Sequence, residues 1–236
     1  IVFVCLPTPM KKSGKCDTSI VEAAIREINE KCALENKRLI VVIKSTVEPG
    51  TTRVLNDKYK YLDIVFNPEF LTEANALRDF VNQNRIIIGG CEESLSKVES
   101  MYREAFPKVP IIKTDSMHAE MVKYFTNCFL ATKVSFANEM HEICSKSGLD
   151  YDRIVEYALY DRRLGKSHFS CPGPDGKYGF GGHCLPKDLN ALIAYTKSLN
   201  IYPMLLFGVW ERNLDSRKQE DRDWEEMIGR AVSREE

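Results

Sequence analysis

Two hydrophobic rhythms meet near residue 114, and together they leave few folds open to this chain. Before that point, short β-branched runs alternate with helical stretches. Residues 1–6, 39–44, 63–66, 85–89 and 111–113 read as strands, apolar on both faces as buried parallel strands are. Residues 19–35 read as a helix, with Ser19 as N-cap and Ile20, Ala23, Ala24 and Ile28 on one face, and residues 94–106 as another. Such alternation gives an open sheet covered by helices, whose ligands bind beyond the carboxyl ends of the strands. Polar residues gather at those ends: Thr8-Pro9 after the first run, Ser45-Thr46 after the second, Asn67-Pro68-Glu69 after the third. From 115 to 146 neither proline nor glycine intervenes, which predicts one long helix, N-capped by Asp115 or Ser116 and ended by Gly148. Helices over 151–160, 189–199 and 204–214 follow, and 161–182 reads as a loop that turns at 172–176. The segment from Arg217 is densely charged around Trp224 and reads as an exposed closing helix.

The net charge of −1 points to neither a nucleic-acid nor a membrane-surface partner, and no apolar run is long enough to span a bilayer. Eight cysteines, at 5, 16, 32, 91, 128, 144, 171 and 184, include no Cys-x-x-Cys pair. Neither a disulfide framework nor a zinc site is indicated, and reduced thiols suit a reducing, cytoplasmic compartment. No metal site is expected. Ile1 opens in mid-strand without a methionine, and the expectation is a chain that lacks its beginning.

The densest chemistry lies in Tyr178-Gly-Phe-Gly-Gly-His-Cys-Leu-Pro-Lys-Asp188. Pro186 suits a first helical position, which places Cys184 just before a helix, near unpaired N–H groups and the positive dipole end that favour a thiolate. Lys187 adds positive charge, and Asp188, four residues after Cys184, returns to the same side of the first turn. Gly179, Gly181 and Gly182 would let backbone approach a ligand where a Cβ would clash. One reading is an activated nucleophile with a carboxylate beside it. The other is a buried structural cysteine at a tight turn, and the residues alone leave both open.

Lys123 and Asn127 share a face of the long helix. Pattern alone favours a lysine whose stem lies on apolar surface and an amide that packs against a neighbouring helix. No Gly-x-Gly-x-x-Gly occurs anywhere, so a dinucleotide-binding sheet would have its pyrophosphate loop upstream of Ile1.

Five motifs, in order, resemble those of the nucleotide-sugar dehydrogenases of the UDP-glucose/GDP-mannose dehydrogenase family: Val4-Cys-Leu-Pro-Thr-Pro9, Lys44-Ser-Thr46 with Pro49-Gly50, Asn67-Pro-Glu-Phe-Leu-Thr-Glu73, Lys123-Tyr-Phe-Thr-Asn127 and Gly179 to Asp188. The resemblance runs from Ile1 to about Asn213. It implies an α/β fold, a partial Rossmann-type parallel sheet over 1–114 that forms the C-terminal half of an NAD-binding domain, followed by an all-α dimerisation domain over 115–236 carrying the catalytic cysteine. It also implies an N-terminal truncation and the absence of a C-terminal UDP-binding domain, although the ending around Asp223-Trp-Glu resembles the natural terminus of shorter, two-domain relatives. By position the family's nucleophile falls on Cys184, its water-orienting aspartate on Asp188, and its oxyanion-stabilising pair on Lys123 and Asn127. Thr46, Glu69 and Glu73 match its threonine and glutamates, with Glu73 as the base for hydrolysis. Substrate contacts are implied at Glu69, Phe70, Leu71, Phe169, Gly181 and Arg163, the last resembling an arginine that reaches a neighbouring subunit's sugar site. Cofactor contacts are implied at Thr8, Thr46, Glu73 and Lys187.

The activity so implied is an NAD-dependent, four-electron oxidation of UDP-glucose to UDP-glucuronate by a homodimer. Two hydrides leave a primary alcohol through an aldehyde that should not escape. A thiolate captures it as a thiohemiacetal, whose oxyanion needs a cation and an amide donor, and the resulting thioester needs water activated by a carboxylate. Three alternatives stand beside it. GDP-mannose or an N-acetylated UDP-sugar could be the substrate. A β-hydroxyacid dehydrogenase uses a similar lysine and asparagine, but a single alcohol oxidation needs no thiolate. A non-catalytic dimerising scaffold would bind neither NAD nor UDP-sugar.

Overall fold

The computed structural model describes residues 1–72 and 75–234. The chain divides into two compact units, Ile1–Thr8 with Cys16–Phe125, and Pro9–Lys15 with Thr126–Glu236.

In the first unit β1 (Val2–Val4), β2 (Leu39–Ile43), β3 (Leu62–Phe66), β4 (Ile86–Gly89) and β5 (Ile111–Thr114) form one sheet in sequence order. Alternation along the strands divides the core between the two faces. Val41, Ile43, Ile64 and Phe66 pack with Val21 and Ile25 of α1 (Ser19–Leu34) and Leu55 of α2 (Thr51–Lys58). Val42, Val65, Ile86 and Ile88 pack with Leu95, Val98 and Tyr102 of α4 (Glu92–Ala105). The sheet departs from the expected all-parallel pattern at one place: β3 and β4 are antiparallel, through Phe66 and Gly89. The helix between them, α3 (Ala76–Val81), buries no residue and so covers no sheet face as a crossover helix would. The edge strands β1 and β5 are not buried on both faces either, with Phe3 and Ile112 exposed.

Several local expectations also shift. Ser19 is the first residue of α1 rather than its cap, and its N–H donates to Asp17 Oδ1 at 3.1 Å. The helix α2 is new: Gly50 enters it at φ 99°, and its first N–H groups are closed by a carboxylate far along the chain. Glu120 accepts from the N–H of Gly50 at 2.5 Å and of Thr52 at 2.8 Å.

The long helix α5 (Ser116–Lys146) is present, and Asp115 caps it by accepting from the His118 N–H at 3.1 Å. Gly148, at φ 70°, ends it, and the Leu149 N–H returns to the Cys144 carbonyl at 2.8 Å. The second unit combines the later turns of α5 with α6 (Tyr151–Ala158), α7 (Cys184–Ser198) and α8 (Met204–Ser216). One core joins Cys128, Ala131, Phe180, Leu189, Ile193 and Val209, and a smaller one joins Ala137, Cys144, Tyr151 and Cys171.

α7 starts at Cys184, earlier than residue 189, so Pro186 occupies its third position and Cys184 its first. The first turn accepts proline without losing a helical hydrogen bond. The closing segment is no exposed helix. It runs through two short 3-10 turns, Gln219–Asp221 and Asp223–Glu225, and Trp224 is buried against Trp210.

Candidate functional site

The first unit gathers charge beyond the carboxyl ends of β1, β2 and β3. Thr8 follows β1, and Ser45 and Thr46 follow β2; all three are buried. The Leu6 N–H donates to Ser45 Oγ at 2.8 Å, and the Thr46 carbonyl faces Cys16 Sγ at 3.5 Å. Asn67, after β3, is a buried hub: its amide donates to the Ile87 carbonyl at 2.7 Å, and its oxygen accepts from Lys44 Nζ at 2.8 Å and the Tyr102 hydroxyl at 2.5 Å. Burial raises the Tyr102 hydroxyl to about 12, so it remains a donor.

Lys123 enters this group from α5. Its side chain is 4% exposed, which overturns the expectation of a surface lysine. The ammonium donates to the Glu69 carbonyl at 2.5 Å, stands 3.3 Å from Glu69 Oε2, and lies 5.7 Å from the centre of the Phe70 ring. The other face of the local charge is set by Arg85, 4.2 Å from the Phe70 ring centre, and by Glu69 Oε1, which accepts from the Leu71 N–H at 3.1 Å. A cleft of about 250 Å³ is lined here by Lys44, Glu69, Phe70, Leu71, Arg78 and Arg85, among others. Burial lowers the pKa of Lys44, and Lys123 pushes it the same way while Cys5 and Glu69 oppose. Glu73 lies outside the described residues.

In the second unit the first turns of α7 carry Cys184, Lys187 and Asp188. Cys184 is partly exposed, whereas Lys187 and Asp188 are buried. Asp188 accepts from Asn127 at 2.5 Å through one carboxylate oxygen and is ion-paired to Lys187 through the other. Asn127 is therefore more than a packing amide, and Lys187 pairs with its sequence neighbour. Cys128, one residue further along α5, is a contrast to Cys184: burial, with Asp188 nearby, drives its thiol far above the ordinary range.

The remaining predicted residues lie apart. Arg163 is exposed and pairs with Asp161. Phe169 lies under Lys133 Nζ at 4.5 Å, and its carbonyl accepts from Tyr151 at 2.8 Å. Arg163 and Phe169 line an apolar groove of about 490 Å³ with Phe129, Phe136 and Met140.

Two glycines of the cysteine loop make room for side chains of the same unit. A Cβ on Gly181 would meet Arg217 Nη2 at 2.3 Å and Asp223 Oδ1 at 2.4 Å, and one on Gly179, at φ 69°, would meet Asn213 Oδ1 at 2.5 Å. Only Gly182, at φ 68°, faces open space. Lys44, Asn67, Arg217 and Asp223 were quoted from sequence but given no role. A lysine and an asparagine just past strand ends were the available signal for the first two, whereas nothing in spacing joins residues 217 and 223 to residue 181. Among the described residues no group of three His, Cys, Asp or Glu side chains is set to hold a metal, and no helix is long and apolar enough to cross a membrane.

Comparison with known proteins connects these pieces. Residues 1–106 match the NAD binding domain, and residues 117–214 the central domain, of the UDP-glucose/GDP-mannose dehydrogenase family. The UDP-glucose 6-dehydrogenase TuaD of Bacillus subtilis is 35% identical over 224 residues, covering 92% of this chain and 47% of that protein. The GDP-mannose 6-dehydrogenase of Pseudomonas syringae is 35% identical over 223 residues, covering 89% of this chain and 50% of that protein. A solved structure of a UDP-glucose dehydrogenase from Pyrobaculum islandicum superposes with a TM-score of 0.79 at 34% identity, covering 89% of this chain and 49% of that one. The chain thus spans about half the length of the curated relatives it matches. With a Rossmann-like α/β unit, a helical unit and both family domains in order, the chain belongs to the UDP-glucose/GDP-mannose dehydrogenase family.

Proposed function

We propose that this chain provides the nucleophile, the oxyanion donors and part of the cofactor site of an NAD-dependent UDP-glucose 6-dehydrogenase. The observation that carries the reading is the set on α5 and α7: a partly exposed Cys184 at a helix N-terminus, a buried Asp188 held by Asn127, and a buried Lys123 one turn before Asn127. When bound, NAD would accept the two hydrides. The residues fit its nicotinamide end, because Thr8 and Thr46 follow adjacent parallel strands at the edge where such sheets bind nucleotides. No residue is proposed for the pyrophosphate.

Cys184 Sγ, as thiolate, bonds to the aldehyde carbon and turns its oxygen into an oxyanion. Lys123 and Asn127 stabilise that charge, and the loss of hydride leaves a thioester on Sγ. Asp188 orients the water that attacks the thioester, with Glu73 as the base and Thr46 as a further candidate in this step, so that the acid leaves and the thiolate is restored. Glu69, Phe70, Leu71 and Gly181 contact the sugar nucleotide. Phe129, Phe136 and Ile143 form an exposed apolar stripe on α5, which we assign to a homodimer that brings Arg163 and Phe169 toward the partner's substrate. This reading places the protein in the cytoplasm. GDP-mannose as substrate is the second reading, supported by the equal identity of the two relatives.

The test is stoichiometric. The chain supplied with NAD and UDP-glucose should release two NADH per uronate formed, and Cys184→Ser should retain UDP-glucose binding while acid formation falls by about four orders of magnitude. Near-normal acid formation by Cys184→Ser would reduce that cysteine to a structural residue. Faster turnover of GDP-mannose would select the second reading.

A further inference from the structure

The strongest concentration of buried polar contacts outside the proposed chemistry lies where the charged closing segment meets the cysteine loop. Arg217 has a side chain only 1% exposed, unusual for an arginine. Its Nη2 donates to Asp175 Oδ2 at 2.7 Å and to Asp223 Oδ1 at 3.3 Å, Nη1 to the Tyr178 carbonyl at 3.4 Å, and Nε to the Asp221 carbonyl at 2.8 Å. Asp223 in turn accepts the Gly182 N–H on both oxygens at 3.1 Å. Asn213 accepts from the Phe180 N–H at 2.7 Å and donates to its carbonyl at 3.1 Å, and Asn138 accepts from the Gly179 N–H at 2.9 Å. Nearly every peptide unit from 178 to 182 is thereby held by a side chain, and Gly181 is the size that lets Arg217 and Asp223 close over it.

The segment is anchored at its far end as well. The Met10 N–H donates to the Ala231 carbonyl at 2.7 Å and the Ser233 N–H to the Met10 carbonyl at 2.8 Å. It therefore ties the loop that follows Thr8 to the loop that leads into Cys184, both counted in the second unit. Arg217 and Asp223 lie beyond residue 214, where the match to the central domain ends.

We propose that Arg217 and Asp223 are positioning residues for the nucleophile: the buried guanidinium and its carboxylates fix loop 178–183, and through it the first turn of α7 that presents Cys184. The inference rests on the reading of Cys184 as nucleophile. A loop free to sample other backbone angles would present Sγ at the reacting carbon only part of the time, which lowers the rate of attack more than it weakens substrate binding.

The experiment compares the full chain with Arg217→Met, Arg217→Lys and Asp223→Asn by amide hydrogen exchange and by turnover of UDP-glucose with NAD. In Arg217→Met, amides 179–182 should exchange faster by about tenfold or more while those of β2 keep their protection. The kcat should fall by about tenfold or more, well beyond any rise in KM from the Gly181 contact, and Arg217→Lys should recover part of both effects. If Arg217→Met fails to fold, Asp223→Asn, which preserves shape, decides by the exchange of Gly182. Unchanged loop exchange in a folded variant would overturn the proposal, as would faster exchange with unchanged kcat. A parent chain without turnover would sink the dehydrogenase reading, and would overturn the positioning role with it even if the loop loosened.

Discussion

Buried charge is arranged differently in the two units. In the sheet unit, Lys44 and Lys123 share the neighbourhood of one described carboxylate, Glu69, and only Lys123 reaches it, at 3.3 Å. Lys44 leans instead on the neutral amide of Asn67. In the helical unit each buried charge in the cysteine region has an opposite partner: Asp188 has Lys187, and Arg217 has Asp175 and Asp223. A region whose buried charges are matched can hold a shape by itself. On the proposed reading, a region where two lysines share one described carboxylate is set up for an anion that arrives from outside, whether a diphosphate or an oxyanion formed during reaction. The difference separates a part that positions from a part that receives.

The largest expected effect breaks the matched side. Asp188→Ala removes one carboxylate partner of the buried Lys187 ammonium, whose side chain is 10% exposed, and the acceptor of the Asn127 amide. Breaking one partner of a buried pair costs about 3–5 kcal/mol, so the urea midpoint should fall steeply. Asp188→Asn keeps the shape and an acceptor and should lose less. A fully stable Asp188→Ala would show that the matched charges do not hold this turn, and the contrast between the units would fail.

On the spare side the expectation reverses. Lys123→Ala removes a charge whose counterpart, Glu69, is 29% exposed and can be solvated in its place. Stability should change little, while turnover falls by an amount typical of a lost oxyanion donor, about 3 kcal/mol of transition-state stabilisation. The KM should hold, because the charge that Lys123 offsets exists only after attack. A loss of affinity without loss of kcat would make Lys123 a binding residue.

The two units also differed in how legible they were. The sheet announced itself through period and β-branched content, because burial on both faces of β2, β3 and β4 constrains every residue in them. The antiparallel β4 was not legible, since direction depends on what the connecting chain covers, and α3 buries no residue of its own. Nor was α2, whose N-terminus is completed by Glu120 some 68 residues away. Around Cys184 the spacing gave the loop and the helix it enters but not the packing of Gly179 and Gly181 against Asn213, Arg217 and Asp223. A dense run of charge such as 217–225 looks solvated until a structure shows which charges face inward. Lys123 was misread for the same reason: helical spacing gives its face but not the Glu69 backbone that meets it.

The smallest expected effect concerns Lys44. Burial depresses its pKa below the ordinary 10.5, and the like charge of Lys123 adds to the depression while Cys5 and Glu69 oppose it. At pH values between the depressed folded value and 10.5, the unfolded chain binds more protons than the folded one. Stability carried by this group must therefore rise with pH across that window and be flat below it. Lys44→Met removes the titration, so the difference in urea midpoint between parent and variant should change between about pH 8 and about pH 10, in favour of the parent at the higher pH. Taking the difference cancels the tyrosines and cysteines that titrate in both proteins. UDP-glucose should shrink the effect, because a bound diphosphate stabilises the ammonium and restores its pKa. Parallel midpoints in parent and variant would mean that Lys44 is not penalised where it stands, and the contrast in buried charge between the two units would fail.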